Sequence, residues 1–141
     1  MNTNGYLLDT NIITALVRDP RGSVFTKLQE KLPAPICTSI VVAAEVEFGL
    51  AKGVSTRMHA QVQAIMGSLE VLPLAAPVHQ HYGKIRALLA QRGQPIGPND
   101  LFIAAHARAL GMTLVSNNLR EFERVPGLLL ENWLAGAGIA R

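Results

Sequence analysis

Asp9 stands where a short buried strand is expected to end. The apolar run Tyr6-Leu7-Leu8 leads into this carboxylate, and two polar residues, Thr10 and Asn11, follow it. In open α/β sheets, ligands bind just beyond the carboxyl ends of the strands, so an acid here is a candidate binding group. The alternative is that Asp9 only caps the next helix. If Asp9 binds a ligand instead, we expect the cap to be Thr10 or Asn11.

Two further acids, Glu45 and Glu47, interrupt a predicted apolar helix. The helical neighbours of Glu45 are Val41, Val42, Phe48 and Gly49. The stripe around Glu47 is equally apolar, with Ala43, Ala44, Leu50 and Ala51. A carboxylate on such a face must be paired, protonated or bound to a cation. Spacing alone does not choose between the two glutamates, and we expect one of them to be a solvated side chain.

Asp100 lies at the start of a later helix, where the helix dipole favours negative charge. Considered alone, it is an ordinary stabilising acid. In a doubly wound sheet, however, this helix would begin near the carboxyl end of the strand that carries Asp9. Three carboxylates within ~4–6 Å repel one another unless a cation bridges them. Hard oxygen ligands are those that Mg²⁺ or Mn²⁺ prefers, so we expect a metal cluster if the fold is doubly wound.

Apolar patterning supports that fold. Predicted strands cover residues 6–8, 36–38, 70–73, 112–115 and 128–130. Predicted helices cover 12–17, 24–31 with Ser23 as its cap, 40–50, 56–68, 78–91 and 100–110, with a short one within 117–123. We expect Asn99 to cap the helix at 100–110. Strands alternating with helices indicate an α/β domain whose mainly parallel sheet has helices on both faces. The chain has no repeats or long linkers, so we expect one domain over residues 1–141.

Composition limits the function classes. Hydrophobic residues make up 49% of the 141 residues, yet no apolar run approaches the ~20 residues needed to cross a bilayer. The single cysteine, Cys37, excludes an internal disulfide and suits a reducing cytosol. No basic-then-apolar leader precedes Tyr6, so we expect a cytoplasmic protein without a membrane segment. The net charge of +3 permits a nucleic acid partner, and more so if three acids lie together in a pocket.

Other catalytic motifs are weaker. His79 and His81 have no third metal ligand nearby, and His106 lies inside an apolar helix, where we expect a hydrogen-bonded core or interface histidine. No serine has a histidine and an acid arranged for a hydrolase triad, and no glycine-rich phosphate loop is present. Asn11 stands where aspartyl phosphatases have a second aspartate, which disfavours covalent phosphoryl-aspartate chemistry.

Four segments, in order, resemble the motifs of PIN-domain ribonucleases, and among these the VapC-type toxins of bacterial toxin–antitoxin pairs. They are Leu8-Asp9-Thr10-Asn11, Glu45-Val46-Glu47-Phe48-Gly49, Ile96-Gly97-Pro98-Asn99-Asp100 and Ser116-Asn117-Asn118-Leu119-Arg120-Glu121-Phe122. Residues 85–89, 93–98 and 105–108 are similar to the subgroup that cleaves initiator tRNA. The resemblance extends from Leu7 to Trp133.

This resemblance implies a PIN-like three-layer fold with a five-stranded parallel sheet in the order 3-2-1-4-5. It implies that Asp9, Glu45 and Asp100 are the catalytic, metal-binding acids and that Thr10 and Asn11 support them. Where the family often has a fourth acid, this chain has Asn118, preceded by Asn117, and Glu121 is the only carboxylate nearby. Whether the site holds one or two metal ions therefore stays open.

The resemblance also implies a function. It predicts a Mg²⁺-dependent endoribonuclease (Mn²⁺ as the alternative ion) that leaves a 5′-phosphate and a 3′-hydroxyl, with tRNA as substrate. It further predicts a homodimer and a VapB-type antitoxin as partner. Candidate RNA contacts, each of which could instead belong to a solvated helix face, are Lys84, Arg86, Arg92, Arg120 and Arg124. Two rival functions are a repressor-complex subunit that acts by binding and a structure-specific DNA nuclease.

Overall fold

The computed structural model describes residues 4–134, which form one sheet surrounded by helices. The strands are β1 (Tyr6–Leu8), β2 (Ile36–Ser39), β3 (Glu70–Leu72), β4 (Thr113–Val115) and β5 (Leu129–Glu131). The helices are α1 (Thr10–Arg18), α2 (Ser23–Lys31), α3 (Ile40–Ala51), α4 (Thr56–Ser68), α5 (Val78–Gln91), α6 (Pro98–Leu110) and α7 (Leu119–Phe122). Every predicted element is present, with ends displaced by no more than two residues.

The sheet has the order β3-β2-β1-β4-β5, and every neighbouring pair is parallel. This confirms the predicted α/β fold and strand order. Leu8 is in register with Thr38 on one side and with Val115 on the other. Asp9 directly follows β1 and Ser116 directly follows β4, so both residues lie at the same edge of the sheet.

β1 and β4 lie at the centre of the hydrophobic core. Leu7, Leu8, Leu114 and Val115 are fully buried, because helices cover both faces of a parallel sheet. α6 is also largely buried, with a run of small side chains that allows close packing against its neighbours. Packing on both faces leaves β1 and β4 little freedom to shift, so the groups at their carboxyl ends are held firmly in place.

Three helix caps differ from the prediction, and in α2 the difference is small: Ser23 is the first helical residue, and Gly22 precedes it. Asp9, rather than Thr10 or Asn11, is the N-cap of α1: its Oδ1 accepts a hydrogen bond from the Thr10 backbone N–H at 2.8 Å. Gly97, rather than Asn99, precedes α6, and Pro98 occupies its first turn, where a missing N–H costs nothing. At α1 and α6 the side chains expected to cap the helix instead donate hydrogen bonds to carboxylates: Thr10 and Asn99 donate to Glu45, and Asn11 donates to Asp9.

Within residues 4–134, none of the helices combines the length and the apolar character that crossing a membrane requires.

Candidate active site

Asp9 is a buried carboxylate held by three donors. It is 4% exposed, and besides the Thr10 N–H its Oδ2 accepts hydrogen bonds from Ser116 Oγ at 2.8 Å and Asn11 Nδ2 at 3.2 Å. Burial raises the pKa of Asp9, and the nearby charge of Glu45 raises it further, while the three donors lower it. The side chain is thus fixed in orientation, and its negative charge is destabilised by burial.

Glu45, on the second turn of α3, lies close to Asp9. Its Oε1 accepts a hydrogen bond from Thr10 Oγ1 at 2.7 Å, and its Oε2 accepts one from Asn99 Nδ2 at 3.3 Å. Thr10 therefore joins two carboxylates, through its backbone to Asp9 and through its hydroxyl to Glu45. Glu47 is exposed on another face of α3. The structure thus places Glu45 in the acid cluster and Glu47 in solvent.

Asp100, in the first turn of α6, pairs with Glu121 from α7. Asn118 Nδ2 donates to Asp100 Oδ2 at 3.1 Å and to Glu121 Oε2 at 3.2 Å. Burial, a hydrogen bond with Glu121 and the charges of Asp9, Glu121 and Glu45 together raise the pKa of Asp100 to about 7. Four carboxylates therefore interact at this edge of the sheet, and the fourth is Glu121.

Two residues of the cluster, Ser116 and Asn99, were not predicted to act in it, and Asn117, which was predicted to support it, does so through its backbone. Ser116 donates to Asp9, and its Oγ accepts the Asn118 backbone N–H at 3.0 Å. Asn99 donates to Glu45 instead of capping its helix. Asn117 contributes its backbone N–H, which donates to Asn11 Oδ1 at 2.9 Å. The position of Ser116 directly after β4 was the one available signal, because it matches the position of Asp9 after β1.

The donor set fits a hard divalent cation. Within residues 4–134, the ion pairs are Lys27–Glu30 and Lys31–Glu131, and neither includes a carboxylate of the site. The site's carboxylates accept hydrogen bonds from neutral donors instead. In the same part of the chain no group of three or more His, Cys, Asp or Glu side chains is arranged so that it could hold a metal ion as it stands. Mg²⁺ keeps several waters and needs only one or two carboxylates, so these oxygen ligands suit it.

The five basic residues predicted to contact RNA lie on α5, on α7 and just after these two helices. Arg86 Nη1 donates to the Tyr82 hydroxyl at 2.9 Å, and Arg124 Nη1 donates to the Pro95 carbonyl at 3.1 Å. The side chains of Lys84, Arg92 and Arg120 are exposed, as is that of Arg86. Their role in RNA binding stays a prediction.

Comparison with known proteins relates this geometry to a family. The PIN-domain model matches residues 6–128. "Ribonuclease VapC2" of Haemophilus influenzae is 38% identical over 130 residues, which cover 92% of this chain and 98% of that protein. The "tRNA(fMet)-specific endonuclease VapC" of Shigella flexneri is 39% identical over 132 residues, covering 91% and 97% of the two chains.

Solved structures give the same result. The VapBC2 complex of Rickettsia felis, bound to a DNA fragment from its promoter, contains a chain that superposes with a TM-score of 0.85 at 36% identity, covering 92% of this chain and 98% of that one. DNA-bound VapBC of Salmonella typhimurium gives a TM-score of 0.83 at 35% identity with the same coverage. Because such relatives match about nine-tenths of its length, the chain belongs to the PIN-domain family, in its VapC ribonuclease branch.

Proposed function

We propose that this protein is a Mg²⁺-dependent endoribonuclease, the toxin of a toxin–antitoxin pair, and that it cleaves tRNA, with initiator tRNA as the first substrate to test. The observation that carries the proposal is the convergence of Asp9, Glu45, Asp100 and Glu121, oriented by neutral donors, at the carboxyl edge of the sheet. The Shigella flexneri relative is named for its action on tRNA(fMet), which supports tRNA as substrate.

Asp9 and Asp100 would hold the ion, with Mn²⁺ as an alternative to Mg²⁺. When bound, a divalent ion lowers the pKa of water and neutralises charge on a phosphate undergoing substitution. Glu45 is oriented by Thr10 and Asn99 to accept the proton of the attacking water. Water adds to phosphorus as the bond to the 3′-oxygen breaks, and the departing 3′-oxygen takes a proton from solvent, which leaves a 5′-phosphate and a 3′-hydroxyl.

The supporting residues maintain this arrangement before substrate arrives. Ser116 and Asn11 fix Asp9, and Asn118 bridges Asp100 and Glu121. Preorganised ligands lower the cost of assembling a metal site, and loss of such partners typically reduces metal affinity or activity about 10–100-fold. Glu121 supplies the fourth carboxylate, which Asn118 itself cannot provide.

The assignment is tested by measuring cleavage of an initiator tRNA transcript with Asp9→Asn and Asp100→Asn. Each variant should lose more than about 100-fold in rate in Mg²⁺, since the loss of a metal ligand should exceed that of a supporting residue. The parent should be inactive in EDTA. Asp19→Asn, an exposed acid at the end of α1, is the matched control and should cleave like the parent. Parent-like cleavage by either site variant would show that the assignment is wrong.

We further propose a VapB-type antitoxin as partner, a homodimeric toxin and a cytoplasmic site of action. The structural neighbours from Rickettsia felis and Salmonella typhimurium are VapBC complexes, which supports the antitoxin. Expression of the chain alone should arrest growth, and Asp9→Ala or co-expression of an antitoxin encoded beside it should relieve the arrest.

A second candidate function is that of a subunit in a promoter-binding complex, favoured because both of those neighbours are bound to DNA. Normal growth of cells that express soluble toxin alone would favour this function over turnover. A third possibility, a structure-specific DNA nuclease, is tested by offering flap DNA and structured RNA in the same cleavage assay. Such a nuclease would cleave the flap DNA, which the other two functions do not predict.

A further inference from the structure

A cavity of about 390 Å³ lies between the second half of α5 and the start of α6. Its walls are formed by Tyr82, Arg86, Leu89, Ala90, Pro95, Ile96, Pro98 and Leu101. Pro98 and Leu101 flank Asp100 in the first turn of α6, so the cavity lies within one helical turn of a proposed metal ligand. The catalytic chemistry described above makes no use of it.

An aromatic ring and a planar cation stand side by side in the wall of this cavity. Tyr82 stacks on Phe102, with ring centroids 4.4 Å apart and planes 27° apart. Arg86 Nη1 donates to the Tyr82 hydroxyl, and its guanidinium carbon lies 5.9 Å from the Tyr82 ring centroid. The two flat groups are thus held in position before any ligand binds, which reduces the entropy lost on binding.

The opposite wall is a restrained loop. Pro95 and Pro98 fix their own φ angles, and Arg124 Nη1 donates to the Pro95 carbonyl at 3.1 Å. One guanidinium group, that of Arg86, lines a cavity whose inner surface includes the buried Leu89 and Leu101, and Arg124 holds the Pro95 wall from outside. An apolar interior with a cation in its wall suits a flat, apolar-faced group attached to a polyanion.

We propose that this cavity, the nucleobase slot, receives one unstacked base of the RNA near the scissile phosphate. The inference rests on the proposed ribonuclease function and adds to it a recognition element. Proteins read single-stranded RNA by stacking splayed bases on aromatic rings and Arg planes, and the slot has both. Its volume lies in the range of small-ligand pockets, about 300–1,000 Å³. The Arg86 fork favours a base with paired acceptors, for which guanine O6 and N7 are the best match.

The first test is steady-state cleavage of an initiator tRNA transcript by Arg86→Ala, Arg86→Lys and Tyr82→Leu. Arg86 is exposed, so its removal should leave the fold intact. We expect Arg86→Ala to raise KM about ten-fold with kcat nearly unchanged, the size of one lost base-stacking contact. Arg86→Lys should not restore KM, because an ammonium group offers neither a stacking plane nor a fork. Arg57→Ala, an exposed arginine on α4, is the matched control.

The second test locates the base. Nucleotides around the cleavage site are replaced one at a time by abasic residues. At one position the abasic substitution should raise KM as much as Arg86→Ala does, and the two changes combined should cost no more than either alone, since both remove the same contact.

Three results would overturn the slot and leave the proposed function in place. In the first, Arg86→Lys restores KM fully and Arg86→Ala lowers the salt dependence of RNA binding by about one phosphate contact. Arg86 would then contact the RNA backbone and not a base. An unchanged KM together with weaker antitoxin binding would assign the cavity to the antitoxin. Fluorescence anisotropy of labelled tRNA in EDTA needs no turnover, and equal Kd for parent and Arg86→Ala there would also refute the slot. If the parent cleaves no RNA at all, the proposed function fails instead.

Discussion

Thr10 and Asn118 show how this chain keeps four like charges close together. Each residue donates to two carboxylates: Thr10 to Asp9 and Glu45, Asn118 to Asp100 and Glu121. Because these donors are neutral, they orient the oxygens without cancelling the negative charge. A lysine or arginine in either place would form an ion pair and compete with a metal ion for the same oxygens.

The two glutamates of α3 provide a prediction at the scale of single residues. Glu45→Gln should reduce RNA cleavage more than about 100-fold, because it removes the charge next to Asp9 while keeping the side-chain size. Glu47→Gln should cleave like the parent, because Glu47 is exposed to solvent. Both variants are compared by kcat in saturating Mg²⁺. Equal losses in the two variants would contradict the placement of Glu45 in the site.

At the scale of elements, His106 connects three segments that position the site. It is 1% exposed, its Nδ1 lies 2.8 Å from Ser39 Oγ, and its ring makes a hydrogen bond to the Pro73 backbone. Ser39 Oγ accepts the Val41 N–H at the start of α3, so its hydroxyl proton is available for Nδ1. This network assigns a neutral ring with its proton on Nε2. The expectation of a hydrogen-bonded core histidine is confirmed.

This network predicts an effect of pH on stability. Burial lowers the pKa of His106 below its ordinary value of 6.5. As pH falls below about 6.5, the unfolded chain therefore binds a proton at His106 that the folded chain does not, and the free energy of unfolding falls. In His106→Gln, which cannot ionise, this part of the loss should vanish, so Tm should depend less on pH between 7 and 5. His79→Gln, at an exposed position of α5, is the control. Identical slopes in His106→Gln and the parent would refute the prediction.

At the scale of the whole molecule, the sheet order separates charge. Placing β1 beside β4 gathers four of the ten acids at one edge, which leaves six acids against thirteen lysines and arginines over the rest of the chain. A concentrated negative site on a basic protein attracts divalent cations to the site and a polyanion to the surface around it. These are the two ligands that metal-dependent RNA cleavage requires.

That charge separation predicts a metal-dependent stability. Mg²⁺ at about ten times its Kd should stabilise the fold by about 1.4 kcal/mol, and so raise Tm by about 3–6 °C over the value in NaCl of equal ionic strength. Asp100→Asn should show little response, because it loses a ligand. Without Mg²⁺ at pH 8, the same variant should melt above the parent, since it removes one of the carboxylates that repel each other. A parent Tm that Mg²⁺ leaves unchanged would argue against a metal site.

Local patterning was sufficient for much of this architecture. The apolar runs of β1 and β4, each closed by a polar residue, together with the helices between them, identified a doubly wound sheet and placed Asp100 near Asp9. Strand and helix identity depends mainly on the periodicity of nearby side chains, which is written in the sequence. Periodicity did not choose between Glu45 and Glu47, because both lie on apolar stripes of the same helix; the resemblance to the PIN-domain motif selected Glu45.

Only the tertiary structure decided which donors reach which carboxylates. Glu121 joins Asp100 because of the direction in which the short helix α7 leaves β4, and Asn99 reaches Glu45 because α6 packs near α3. Residues that are far apart in the chain meet only after the core has packed, and no local pattern encodes their distance or direction. The sequence thus determined the sheet and the acids at its edge, and long-range packing determined how those acids are oriented into one site.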